Sequence, residues 1–178
     1  GTTILTASWF IESHLICTVK YTVCVSLSEA PHLIQCADSP LYLSSPSNNI
    51  SSGDKVTLST SSDEIAQRWF LDYIDQFYTI RLKLSSNDYY LGFDPSSSDG
   101  SSIILCTEIT DYTKWRIEKF DFTQTFTIKP YIPIGNTTTY LSIIPTDDNV
   151  GFELRLSPRS SDNMYKWSFS RMPYINLQ

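Results

Sequence analysis

The sequence predicts an all-β domain built from three copies of one four-stranded unit, and three observations lead there. The chain of 178 residues carries 11 Tyr and 9 Phe, and aromatic rings pack well on the pleated surface of a strand. Long Ala/Leu/Glu/Lys runs that would support helices are missing, while Ser, Thr, Asp, Asn, Gly and Pro crowd the segments between short apolar runs, as turns require. Finally, the chain repeats itself.

The repeat is read element by element. "YTVCV" from Tyr21, "YTIRL" from Tyr78 and "FTIKP" from Phe126 open the three copies alike. A tyrosine–leucine pair follows in each: Tyr42-Leu43, Tyr90-Leu91 and Tyr140-Leu141. A short apolar strand comes next, around Leu58, Leu105 and Leu156, and each copy closes on a tryptophan, Trp69, Trp115 or Trp167. From the paired leucine to the next strand's leucine is 15, 14 and 15 residues (43→58, 91→105, 141→156). From that leucine to the tryptophan is 11, 10 and 11 (58→69, 105→115, 156→167). Only the opening interval varies, at 21, 12 and 14 (21→42, 78→90, 126→140), which predicts an insertion in the first copy around "SEAPHLIQCADSP". The copies then span about 21–72, 73–120 and 121–172, in a domain over 21–178 that follows an extension at 1–20.

No copy is long enough to bury its own apolar side. Three copies closed round a pseudo-threefold axis bury one another, and closure removes the sheet edges that invite aggregation. The three tryptophans are expected in that shared core.

Threefold repetition, about four strands per copy, and the copy-final "QRW", "TKW" and "YKW" resemble the ricin-B-type β-trefoil, whose repeats carry a Gln-x-Trp element. The resemblance spans Tyr21 to about Met172; the first copy keeps the glutamine (Gln67), while Thr113 and Tyr165 replace it in the others. It implies a β-trefoil and a lectin-like role. The family's galactose site does not carry over. Ser44, Gly92 and Ser142 stand where the family has an aspartate, and Ala66, Tyr112 and Met164 where it has an asparagine. The repeat-closing disulfide is missing too, since Tyr90 stands where a partner for Cys106 is expected.

A net charge of −6 without any Lys/Arg cluster argues against nucleic acid and against an anionic membrane held by charge. No apolar stretch approaches the ~20 residues of a transmembrane helix. The start carries Glu12 and His14 and no basic region, so it reads poorly as a signal peptide. Two sequons, at Asn49 and Asn136, fall in turn-like stretches as glycosylation candidates. With the low lysine content they favour a secreted glycoprotein. Cys17, Cys24, Cys36 and Cys106 then allow three disulfide connectivities. The apolar extension, with Trp9 and Phe10, reads as a strand laid across the barrel and tied by Cys17, as an arm that docks to another protein chain, or as a propeptide.

Catalysis finds little to work with. His14 and His32 are the only imidazoles; His32 lies near Cys36, whose expected role is a disulfide in the inserted loop. The acids Asp94, Asp99, Asp147 and Asp148 lie in turns where solvated carboxylates are routine, not as a designed pair. No cofactor loop or metal-ligand spacing is present. The reading is a non-enzyme that binds through loops on a rigid scaffold. Sugar recognition needs an aromatic face and short polar side chains. "SSNDYYLGFDPSSSDGSS" is the richest stretch, so Asn87, Asp88, Tyr89, Asp94 and Asp99 are the candidate carbohydrate-binding residues. Tyr131 with Asn136, and Asp147, Asp148 and Asn149, offer the same ingredients elsewhere. The expected partner is a glycan or glycoprotein, bound at a non-standard site by a secreted protein or a toxin or haemagglutinin component. The alternatives are a protease-inhibitor-like trefoil and a structural subunit of a larger complex.

Overall fold

The computed structural model describes residues 2–11, 14–24, 30–46, 49–61, 65–84, 87–97, 102–146, 151–159 and 164–172, with side chains from residue 30 onward. Strands β1 (Thr2–Ile11) and β2 (His14–Cys24) form an antiparallel two-stranded sheet of their own. Twelve further strands follow: β3 (His32–Cys36), β4 (Tyr42–Ser44), β5 (Thr57–Ser59), β6 (Trp69–Ile74), β7 (Phe77–Leu84), β8 (Asn87–Phe93), β9 (Ile103–Cys106), β10 (Trp115–Lys119), β11 (Phe126–Pro130), β12 (Thr139–Pro145), β13 (Phe152–Pro158) and β14 (Trp167–Arg171). Short 3-10 turns at Ile65–Gln67 and Asp111–Thr113 precede Trp69 and Trp115.

Six strands pair in a ring: β3 with β6, β6 with β7, β7 with β10, β10 with β11, β11 with β14, and β14 back to β3. Each copy's last strand is zipped to the first strand of the next, so each interface between copies is a run of backbone hydrogen bonds. The other six strands form the hairpins β4–β5, β8–β9 and β12–β13. Leu43 faces Leu58, Leu91 faces Leu105 and Leu141 faces Leu156 across these hairpins. The 15, 14 and 15-residue spacings of the sequence are thus the arcs of three equivalent hairpins.

The core is threefold in its chemistry. Ile34, Ile80 and Ile128, then Leu43, Leu91 and Leu141, then Trp69, Trp115 and Trp167 are all fully buried. A buried indole needs an acceptor, and the fold supplies the same one each time. Trp69 Nε1 donates to Leu43 O at 2.9 Å, Trp115 Nε1 to Leu91 O at 2.8 Å, and Trp167 Nε1 to Leu141 O at 2.9 Å. The tyrosine–leucine pair and the terminal tryptophan recur together because one's carbonyl satisfies the other's N–H.

The opening of the first copy differs from the sequence expectation. Tyr21 lies in β2, facing Leu5 of β1. The strand that stands in the ring where "YTIRL" and "FTIKP" stand is β3, "HLIQC": His32, Tyr78 and Phe126 each face a core tryptophan. The expected insertion is therefore β3 itself, and the opening intervals become 10, 12 and 14 (32→42, 78→90, 126→140). A tyrosine–threonine start is a β pattern that any strand can carry.

That placement also revises the cysteines. Cys36 faces Trp167, as Leu82 faces Trp69 and Pro130 faces Trp115. It fills an apolar ring position as a small hydrophobe, not a loop disulfide. Cys36 and Cys106 are free thiols; the side chains of Cys17 and Cys24 lie outside those described.

Candidate functional site

The predicted sugar-binding residues that are described, Asn87, Asp88, Tyr89 and Asp94, do not converge. Asn87 and Asp88 are exposed at the start of β8, where Asp88 accepts from Arg81 Nη1 at 3.2 Å. Tyr89 turns inward, 7% exposed, and its hydroxyl donates to Ile50 O at 2.8 Å; its ring cannot stack on a sugar. Asp94 follows the far end of β8, about 20 Å from Asn87 at the rise of a strand. Its carboxylate accepts from Ser96 N at 2.9 Å and Ser96 Oγ at 2.7 Å, bonds that hold it below the usual carboxylate range. Asp94 closes its own turn. Asp99, like Asp147, Asp148 and Asn149, lies outside the described residues. Asn49 and Asn136 are both exposed.

A different constellation gathers on the ring. Strands β7 and β10 pair only where Tyr78 faces Trp115, and an open groove of about 710 Å³ lies at this divergence. Tyr73 and Gln76 come from the β6–β7 hairpin, Tyr78 from β7, Arg116 and Glu118 from β10, and Tyr131 from just past β11. Tyr73 and Tyr78 face each other across β6 and β7, their rings tilted with centroids 4.9 Å apart. Burial first, then the neighbouring Tyr73, pushes the Tyr78 phenol up. On the opposite wall the Arg116 guanidinium lies 4.8 Å from the centre of the Tyr131 ring, which Phe77 also meets at 5.6 Å. Glu118 accepts a 2.8 Å ion pair from Lys129.

The turn that carries Gln76 is strained. Asp75 and Gln76 both have positive φ, 41° and 82°, the backbone that a two-residue hairpin turn demands and that glycine or asparagine usually supplies. The neighbouring strands hold these residues there, and Gln76 presents a planar amide at the groove.

No protein-family model and no curated protein sequence matches the chain. Solved structures do. The chain is similar to a designed threefold-symmetric protein, ThreeFoil, at 17% identity and a TM-score of 0.60, over 78% of this chain and 96% of that one. It is similar to a ricin B-like lectin of Macrolepiota procera, solved with lactose, at 14% identity and a TM-score of 0.59, over 83% and 100%. It also matches a mosquitocidal holotoxin at 17% identity and a TM-score of 0.65, over 86% of this chain but 18% of the toxin. The closed ring with three hairpins, together with the match over the whole length of the Macrolepiota procera lectin, decides the fold. The chain is a β-trefoil.

In this trefoil the places where the ricin-B family has its aspartate are closed. Ser44 and Ser142 are buried. At Gly92 a Cβ would meet Cys106 Sγ at 2.9 Å, Thr113 Cγ2 at 3.0 Å and Tyr112 O at 3.2 Å. A side chain has no room there. The glutamine kept in the first copy and the residues that replace it in the others are structural as well: Gln67 donates to Ser61 O, Thr113 Oγ1 exchanges hydrogen bonds with the backbone of Thr110, and Tyr165 packs on Phe120 and Tyr140.

The trefoil's own symmetry marks the groove as particular. Advancing one copy, the ring register turns Tyr73, Tyr78 and Tyr131 into Lys119, Phe126 and Ala37. Advancing again gives Arg171, His32 and Lys83. The fold thus accepts non-aromatic residues at these places, and only the groove between β7 and β10 has tyrosine at all three.

Proposed function

We propose that this trefoil is a non-enzymatic carbohydrate-binding protein whose sugar site is the groove between β7 and β10. The observation that carries the reading is the meeting of Tyr73, Tyr78 and Tyr131 with the planar polar groups of Gln76, Arg116 and Glu118 in one open cleft. Pyranose rings offer an apolar C–H face and a rim of hydroxyls, and this wall offers both counterparts. The volume suits a ligand cleft, and the fold is that of a lectin solved with lactose. Glu118 is the groove's single carboxylate among the described residues, ion-paired to Lys129, where glycoside hydrolysis uses a pair. The site is non-standard: where the family has its aspartate, Ser44 and Ser142 are buried and Gly92 leaves no room for a side chain. Exposed sequons at Asn49 and Asn136 support a secreted route, and the β1–β2 hairpin reads as an extension that precedes the trefoil.

A glycan array probed with the whole chain tests this, with Tyr73→Ala and Tyr131→Ala alongside. A defined signal is expected, and each ring removed should weaken it roughly tenfold, about 1.4 kcal/mol, without lowering Tm appreciably. A signal indifferent to both substitutions refutes the groove as the site. A blank array refutes sugar binding and directs attention to protein partners.

A further inference from the structure

We infer that the groove selects glycans bearing a carboxylate, received by Arg116; this deepens the sugar-binding reading of the same groove and rests on it. Arg116 projects from β10 as an exposed residue. Among the described residues no carboxylate pairs with it. Its neighbours are otherwise matched. Lys114 pairs with Asp111 at 2.7 Å and Lys129 with Glu118 at 2.8 Å, while Arg81 holds both Asp72 and Asp88. Because Lys129 neutralises Glu118, the described groove carries one uncompensated positive charge, on a chain whose net charge is −6.

The guanidinium is also held in place. Stacking on Tyr131 at 4.8 Å fixes its position and leaves its edge donors to a ligand. A planar fork meets a carboxylate through two parallel N–H···O bonds, geometry a flexible lysine does not reproduce. Ordering the arginine in advance reduces the entropy lost on binding. A second cavity, about 230 Å³, adjoins the groove and shares Arg116 and Tyr131 as its wall. Arg116 therefore stands between two subsites, where it can reach an acidic sugar while the Tyr73–Tyr78 platform holds a neighbouring residue of the same oligosaccharide.

Symmetry again separates ligand chemistry from fold chemistry. The positions equivalent to Arg116 are Phe70 and Ser168, so the trefoil does not require a cation there. The charge is local to the groove that holds the tyrosines.

The test measures binding of the whole chain to two acidic probes, a sialic-acid-terminated trisaccharide and a glucuronate-terminated oligosaccharide. Each is compared with its methyl ester, which keeps the sugar and removes the charge. The acid is expected to bind ten- to a hundredfold more tightly than the ester, as a charge-assisted hydrogen bond warrants, and whichever acid binds identifies the source of the carboxylate. Arg116→Gln should erase the acid–ester difference at unchanged Tm, and Arg116→Lys should retain part of it. Equal binding of acid and ester by the unaltered chain overturns the carboxylate assignment while sugar binding stands. An acid preference that survives Arg116→Gln overturns the role of Arg116. Failure to bind any glycan, neutral or acidic, overturns the sugar reading together with it.

Discussion

Replacing Gly92 with alanine probes how closely Cys106, Thr113 and Tyr112 approach the backbone of β8. The added Cβ would lie 2.9 Å from Cys106 Sγ, 3.0 Å from Thr113 Cγ2 and 3.2 Å from Tyr112 O. Carbon contacts are most favourable at about 3.5–4.0 Å, so the neighbours must retreat by roughly 0.5–1 Å. Two of them cannot do so cheaply. Tyr112 O is backbone within a 3-10 turn whose capping box ties Thr110 to Thr113, and Thr113 is fully buried. Overpacking of this kind costs about 1–3 kcal/mol, read as a shift of the urea midpoint at constant m-value. Cys106→Ala in the same chain removes the nearest atom. The double variant should recover part of the loss, with a coupling of about 0.5 kcal/mol or more. A neutral Gly92→Ala, or strict additivity with Cys106→Ala, would refute the close approach and with it the closure of the family's sugar position.

Three further outcomes are expected. Trp115→Ala removes a fully buried indole and strands Leu91 O, and should cost about 3–5 kcal/mol by chemical denaturation. His32 is buried with Nδ1 unpartnered, and its pKa is lowered from 6.5 by burial first and then by Arg171. The folded state therefore keeps His32 neutral while the unfolded chain takes up a proton. The stability it contributes is present above pH 6.5 and is lost as pH falls below that value. His32→Phe, the residue the third copy carries at this place, should flatten the slope between pH 7 and pH 5 in denaturant titrations. Burial raises the thiols of Cys36 and Cys106, so peptide mass mapping after brief alkylation of the native protein should find Cys36 unmodified, and modified only in denaturant.

Much of the architecture was legible in the sequence because threefold symmetry writes the same packing problem three times. Leu43, Leu91 and Leu141 recur at fixed distances from Trp69, Trp115 and Trp167 since each pair shares an N–H to C=O bond. The opening strand of the first copy was not legible, for two reasons. Tyr21 offers the same local pattern as Tyr78, and pairing with Leu5 outcompetes any local cue. Site residues were harder still. A polar, aromatic stretch such as that around Tyr89 reads alike whether its ring stacks on a ligand or anchors on Ile50 O. Tyr73, Gln76, Tyr78 and Arg116 went unnoticed because repeat logic seeks residues the copies share. The signal lay in the residues by which one copy departs from the other two, and it appears only once β3 sets the register.

The seam at which β14 meets β3 has a bearing on how the molecule is made. Ser168 and Gln35, neighbours across that seam, are 133 positions apart in the chain. Each of the other junctions of successive copies closes through a hairpin or a short connection, whereas this one brings together the first and last strands of the ring. Loop-closure entropy must be met before such a contact returns anything. On a ribosome β3 waits with Ile34 and Cys36 uncovered until β14 emerges, so the barrel cannot lock before Arg171 has been made. Loss of β14 would leave a chain with most of its local hairpins and no closed core, a species disposed to pair its open edge with another of its kind.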